Sequence, residues 1–116
     1  MAGLTLLRGA VSDSTILLDD GSRLTVATDV RGPALATIQP RAVALYRRAP
    51  EGSPRNVLRC TVAGIDPEGD RWRIRLSGPF PLVAEVTPAA AAELRLAEGG
   101  EVFAVVKATE IDVYSI

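Results

Sequence analysis

Turn-forming residues interrupt this chain so often that only one segment has room for a helix. Asp19-Asp20-Gly21-Ser22, Pro40, the stretch from Arg47 to Pro54, Asp66-Pro67-Glu68-Gly69-Asp70, Ser77-Gly78-Pro79 and Gly99-Gly100 cut it into short pieces. The pieces between them are aliphatic and β-branched, which is the composition of strands. Thr15–Leu18 and Arg23–Ala27 flank Asp20-Gly21, and that step predicts a hairpin closed by a tight primed turn. Leu4–Val11 is a strand before it. Ala34–Ile38 and Ala42–Tyr46 are two more, and Pro40 forbids one continuous strand through both. Val57–Ile65, Leu82–Val86, Glu101–Lys107 and Ile111–Tyr114 complete the set. Arg71-Trp72-Arg73-Ile74-Arg75-Leu76 alternates strictly, so its arginines take one face and Trp72, Ile74 and Leu76 the other.

The exception is Thr87-Pro88-Ala89-Ala90-Ala91-Ala92-Glu93-Leu94. Thr87 suits the N-cap, Pro88 the first helical position, and alanine has the best intrinsic propensity. The segment predicts a helix of about two turns. Many short strands with one short helix predict an all-β fold, a small OB-like barrel preceded by an additional hairpin and strand region. The polar, Pro- and Gly-rich run Arg47–Pro54 is the one linker-like stretch, and it divides residues 1–50 from residues 53–116.

Composition excludes several functions. Histidine is absent and Cys60 is the single cysteine, which removes the usual general base, an internal disulfide and a Cys/His metal cluster. No Gly-rich phosphate loop ending in Lys-Ser/Thr occurs. The carboxylates are scattered in turns, so the chain reads as non-catalytic, with no cofactor and no metal. A formal net charge of −1 and only one Trp, two Tyr and two Phe argue against nucleic-acid binding, which needs a basic excess and stacking rings. No apolar run is long enough to span a bilayer, and the N-terminus lacks a signal-peptide pattern. The expected location is the cytoplasm. Cys60, in an apolar strand, reads as buried and inert.

Three segments have a more specific look. Ser53-Pro54-Arg55-Asn56, the helix opening Val86-Thr87-Pro88, and Lys107-Ala108-Thr109 stand in the order and spacing found in the molybdate-binding Mop, or TOBE, family. Together they resemble it over roughly residues 53–114. Upstream, Leu4-Thr5-Leu6-Leu7-Arg8-Gly9 and Gln39-Pro40-Arg41-Ala42-Val43 are similar to segments that follow the nucleotide-binding domain in ABC importer ATPases. The resemblance therefore implies the C-terminal regulatory region of a molybdate or tungstate importer's ATP-binding subunit. It implies an ABC ATPase domain as partner, a homodimer, and only indirect membrane contact through the permease at the inner face.

The resemblance also implies a ligand, molybdate or tungstate, bound at a subunit interface. A tetrahedral dianion needs donors on all sides and a cation to offset its desolvation. Arg55 and Lys107 would supply charge, Ser53 and Thr109 hydroxyls, and Ala108 with the helix start from Thr87 to Ala90 backbone N–H groups. This chain departs from the family in two places. Ala90 stands where relatives often have serine, and Pro54 where another residue would offer an N–H. Three other readings stay open. The chain would be a structural dimerisation domain without a small ligand; Arg55 would pair with Glu51 or Glu110 and Lys107 would be a strand-end lysine; or the Arg71, Arg73, Arg75 stripe would contact an acidic partner or nucleic acid rather than water and Glu85.

Overall fold

The computed structural model describes residues 3–52 and 56–116. Five strands come from the first half: β1 (Thr5–Ser12), β2 (Thr15–Leu18), β3 (Arg23–Thr25), β4 (Gly32–Ile38) and β5 (Ala44–Tyr46). The second half contributes β6 (Asn56–Glu68), β7 (Arg71–Ser77), β8 (Leu82–Val86), β9 (Glu101–Val106) and β10 (Asp112–Ser115), with helix α1 (Pro88–Glu93) between β8 and β9. They form two antiparallel five-stranded sheets, ordered β10-β4-β1-β2-β3 and β5-β9-β6-β7-β8. The all-β, OB-like expectation with one short helix holds.

The two sheet orders are the same order written twice, so the chain is an internal repeat. Each half builds four strands of its own sheet and lends its last strand to the edge of the other. A short 3₁₀ turn precedes each lent strand: Pro40–Ala42 before β5 and Ala108–Glu110 before β10. The ladders give the equivalences. Thr5 faces Ile38 where β1 meets β4, and Asn56 faces Val106 where β6 meets β9. Gln39 and Lys107, the next residues, cap the two 3₁₀ turns.

The core lies between the inner faces of the sheets. Ile16, Leu24, Val26 and Ile38 from one half join Val62, Ile74, Leu82, Val102 and Val106 from the other in one continuous cluster. Ala34, Ala36, Ala84 and Ala104 are fully buried among them. The alternation read in residues 71–76 is realised: Ile74 and Leu76 are buried, while Trp72 is half-buried against the core.

Two turns differ from expectation. The step Asp20-Gly21 does not form a two-residue primed turn. The Gly21 N–H donates to the Leu18 carbonyl at 2.9 Å and Gly21 takes φ +94°, so a β-turn is followed by a glycine in the left-handed region. Asp20 accepts from the Ser22 amide at 2.8 Å and from its hydroxyl. The two-residue primed geometry belongs instead to Asp13-Ser14, at φ 49° and 58°, between the facing pair Ser12 and Thr15. The second difference is β6, which runs through the expected turn as far as Glu68. Its register shifts by a bulge at Val62/Gly64, and Asp66 and Pro67 then face Arg73 and Trp72. Beyond Val62, β6 pairs only with β7, so Pro67 sits on a free edge where its missing N–H breaks no ladder. At the bulge, a side chain on Gly64 would collide with the Arg75 guanidinium. Glycine lets Arg75 lie flat across the strand and reach Asp66 at 2.9 Å.

Candidate functional site

Lys107 follows the fully buried Val106 and caps the 3₁₀ turn Ala108–Glu110 with φ −70° and ψ 142°. The turn is closed by the Glu110 N–H on the Lys107 carbonyl at 2.9 Å. The first N–H groups of such a turn have no partner within it. So one short segment presents an ammonium group, open backbone donors and the Thr109 hydroxyl. Lys107 and Thr109 are exposed. Among the described residues, Lys107 has no carboxylate within ion-pair distance, whereas Arg59 pairs with Glu101 at 3.2 Å, Arg73 with Glu85 at 3.5 Å and Arg75 with Asp66 at 2.9 Å. Two members of the arginine stripe are thus neutralised on the sheet face.

The two 3₁₀ turns meet where the halves exchange strands. A polar cleft of about 190 Å³ lies there, lined by Gln39, Arg41, Ala42, Thr109, Glu110 and Asp112. Two carboxylates against one arginine make that side unfavourable for a dianion. Thr109 lines this acidic cleft, whereas Lys107 and Ala108 do not, so the anion-compatible part of the turn is Lys107 and Ala108. A larger groove, about 610 Å³, runs beside residues Gly3–Leu7, Arg75–Ser77 and Pro81–Val83 and is mostly apolar. It is poor chemistry for an ion that must keep its hydrogen bonds.

The helix start is placed elsewhere. Thr87 Oγ accepts from the Ala90 N–H at 3.1 Å, and the Thr87 carbonyl takes the Ala91 N–H at 3.0 Å. The cap forms as the sequence predicts, and it occupies the Ala90 donor expected to face a ligand. Register separates the helix from Lys107. Val86, just before Thr87, faces Trp72, and Trp72 faces Pro67 near the far end of β6; Lys107 adjoins Asn56 at its beginning. About 35 Å of strand contour lies between those ends at the usual rise per residue. Within one chain, therefore, Lys107, Ala108 and Thr109 come together, and Thr87 and Ala90 do not join them. Ser53 and Arg55 lie outside the described residues.

Sequence reading named Asn56 within the Ser53–Asn56 motif but gave it no role, and the structure makes it the most constrained polar side chain of the region. It is 4% exposed. Its carboxamide oxygen accepts from the Thr25 N–H at 2.8 Å, and its nitrogen donates to the Thr25 carbonyl at 2.9 Å and the Val106 carbonyl at 3.1 Å. The signal was present, since asparagine opening an apolar strand demands an explanation, but its partner lies 31 residues upstream. A second tie between the halves is Arg47 Nη1, which donates to the Leu94 carbonyl at the end of α1 at 3.2 Å.

Comparison with known proteins bears on this geometry. A TOBE domain model matches residues 52–113. The molybdenum import ATP-binding protein ModC of Mycobacterium tuberculosis is 34% identical over 98% of this chain and 33% of its own length. The molybdate/tungstate import ATP-binding protein WtpC of Pyrococcus abyssi is 30% identical over 90% of this chain and 30% of its own. The chain thus spans about a third of the curated relatives it matches. The solved structure of the cytoplasmic molybdate-binding protein ModG superposes with a TM-score of 0.85 at 22% identity, covering 100% of this chain and 99% of that one. That likeness concerns the fold, and it extends over both halves of the repeat. With the family model covering more than half of the sequence, including β6 to β9 and the Lys107 turn, the chain belongs to the TOBE domain family.

Proposed function

We propose that this chain is the C-terminal regulatory part of a molybdate or tungstate importer's ATP-binding subunit, and that it binds the oxyanion at an interface between two copies. The carrying observation is the Lys107 turn: an ammonium group without a carboxylate partner among the described residues, beside unused backbone donors, in a chain related along nearly its whole length to importer ATP-binding proteins. The domain itself is non-catalytic. On this reading Ser53 and Arg55, which precede Asn56 in sequence, serve as donors for the same ion together with Lys107, Ala108 and Thr109. Thr87 and the Ala90 segment lie at the other end of the sheet by register, so they reach the same anion only from a second chain. That is the reason for placing the site at a homodimer interface. The division at residues 50–53 then separates two repeat halves with different tasks, since Gln39 in the first half takes the place of Lys107.

In the full subunit the ligand would favour one arrangement of the attached ABC ATPase domains. It does so only to the extent that it binds the two arrangements with different affinity. The protein would work at the cytoplasmic face of the membrane.

A second reading is favoured by one observation: the Ala90 N–H is already satisfied and its side chain offers no hydroxyl. On that reading the domain joins two ATPase subunits and binds no ion. Calorimetric titration with tungstate, molybdate and sulfate separates the two. The sensor reading predicts saturable heat with tungstate and molybdate, and Lys107→Ala weakening it about 10- to 100-fold, as loss of a charged hydrogen-bond partner does. No heat with any oxyanion, together with a dimer that survives Lys107→Ala, would leave only the structural reading.

A further inference from the structure

We infer that Asn56 is a positioning residue for the oxyanion site, holding the Lys107 turn in place through a hydrogen-bond bridge to the opposite half of the repeat. The inference rests on the oxyanion reading above and adds a residue that does not touch the ligand.

The bridge is specific in its chemistry. One carboxamide accepts from the Thr25 N–H and donates to the Thr25 carbonyl, as a neighbouring strand residue would, so it lengthens the pairing at the end of β3 by a side chain. Its nitrogen also donates to the carbonyl of Val106, the residue immediately before Lys107. The partners are 31 and 50 residues away in sequence. Only a group that both donates and accepts satisfies all three contacts. The site is buried, so an unmatched partner there is costly and the backbone would shift rather than leave it. The equivalent residue of the first half, Thr5, is also buried but is followed across the ladder by Gln39 rather than a lysine. The amide bridge and the cation therefore occur together, in the half that carries the proposed site.

The residues after Val106 give the bridge its consequence. Backbone movement at Val106 displaces Lys107 and the N–H of Ala108 together. A dianion held by a few donors loses affinity steeply when the donors drift apart.

The test uses the intact chain and tungstate as the probe, with each variant titrated well below its own melting temperature. Asn56→Ala is expected to bind about tenfold or more weakly than wild type. Asn56→Asp is expected to be weakest at pH 8, where a carboxylate cannot donate and repels the ligand. It recovers part of its affinity as pH falls into the range where the carboxyl is protonated and can donate, a range that burial beside the Thr25 and Val106 carbonyls raises, while Asn56→Ala shows no such recovery. Ile74→Val, a core variant on β7, lowers the melting temperature and leaves the tungstate Kd unchanged, which separates positioning from stability. The inference is overturned if both Asn56 variants bind within twofold of wild type, or if Ile74→Val weakens binding as much as they do. A silent wild-type titration is a different failure: it retires the oxyanion reading itself, and this role with it.

Discussion

Thr87 was readable as a helix cap from its place before Pro88 and four alanines, and the structure realises it with the Ala90 N–H on its hydroxyl oxygen at 3.1 Å. Thr87→Ala should cost about 1 kcal/mol and lower the melting temperature by a few degrees in calorimetry, with tungstate binding as the readout that shows whether the cap also serves the ligand. Gly64 was not readable in the same way, because the reason for it lies on the neighbouring strand. Gly64→Val should force Arg75 off the bulge and destabilise the chain by about 1–3 kcal/mol, measured by urea denaturation. Cys60 is a third case. Burial raises its thiol above the ordinary range, with a backbone hydrogen bond from Ala104 opposing. A raised folded-state pKa gives stability that is complete below the unfolded thiol's pKa and is lost as pH rises through the folded value. The native thiol should therefore resist a disulfide reagent at pH 8 and react once the chain is unfolded. Asp20 has the opposite sign: the Ser22 hydroxyl and then the Ser22 amide hold its carboxyl below the usual range. That contribution is present above the unfolded pKa and disappears as pH falls through the folded one.

At the scale of elements, hydropathy alternation located the strands well. Leu82–Val86 matches its expected span, and β9 and β10 differ only at their ends. What alternation could not show was which sheet each strand joins. The repeat was hidden because the equivalent residues differ in kind, as Thr5 and Asn56 or Gln39 and Lys107 do. The second half also carries α1 and a longer β6–β7 hairpin that the first lacks. The Lys107 segment was read as the end of a strand. It is a 3₁₀ turn because the chain must leave one sheet and cross to the other within a few residues. The lent strands are testable. Deleting residues 112–116 removes the pairing of β10 with Ala34–Thr37 and exposes that edge of β4. The truncated chain should melt on the order of 10 °C lower, a loss of about 2–4 kcal/mol, and should aggregate more readily through the open edge.

At the scale of the whole molecule, the two halves share one apolar cluster, exchange their last strands, and are pinned by Asn56 and Arg47. Such a chain should unfold in one step. Trp72 fluorescence, which reports the second half, and far-ultraviolet circular dichroism, which reports both, should give coincident denaturant transitions. The motif named Lys107, Ala108 and Thr109, which are consecutive and share one 3₁₀ turn, and Thr87 and Ala90, which sit at the other end of the same sheet. No local pattern reveals that separation, since it follows from how β6, β7 and β8 align. The account consequently needs two chains to complete one anion shell. A tungstate-soaked crystal tests this most directly, because tungsten is located by its anomalous scattering alone. The predicted result is a tungsten peak within hydrogen-bonding reach of Lys107 Nζ and the Ala108 N–H, with a second chain closing the shell. A tungsten peak far from Lys107, or a well-ordered dimer with none, would contradict it.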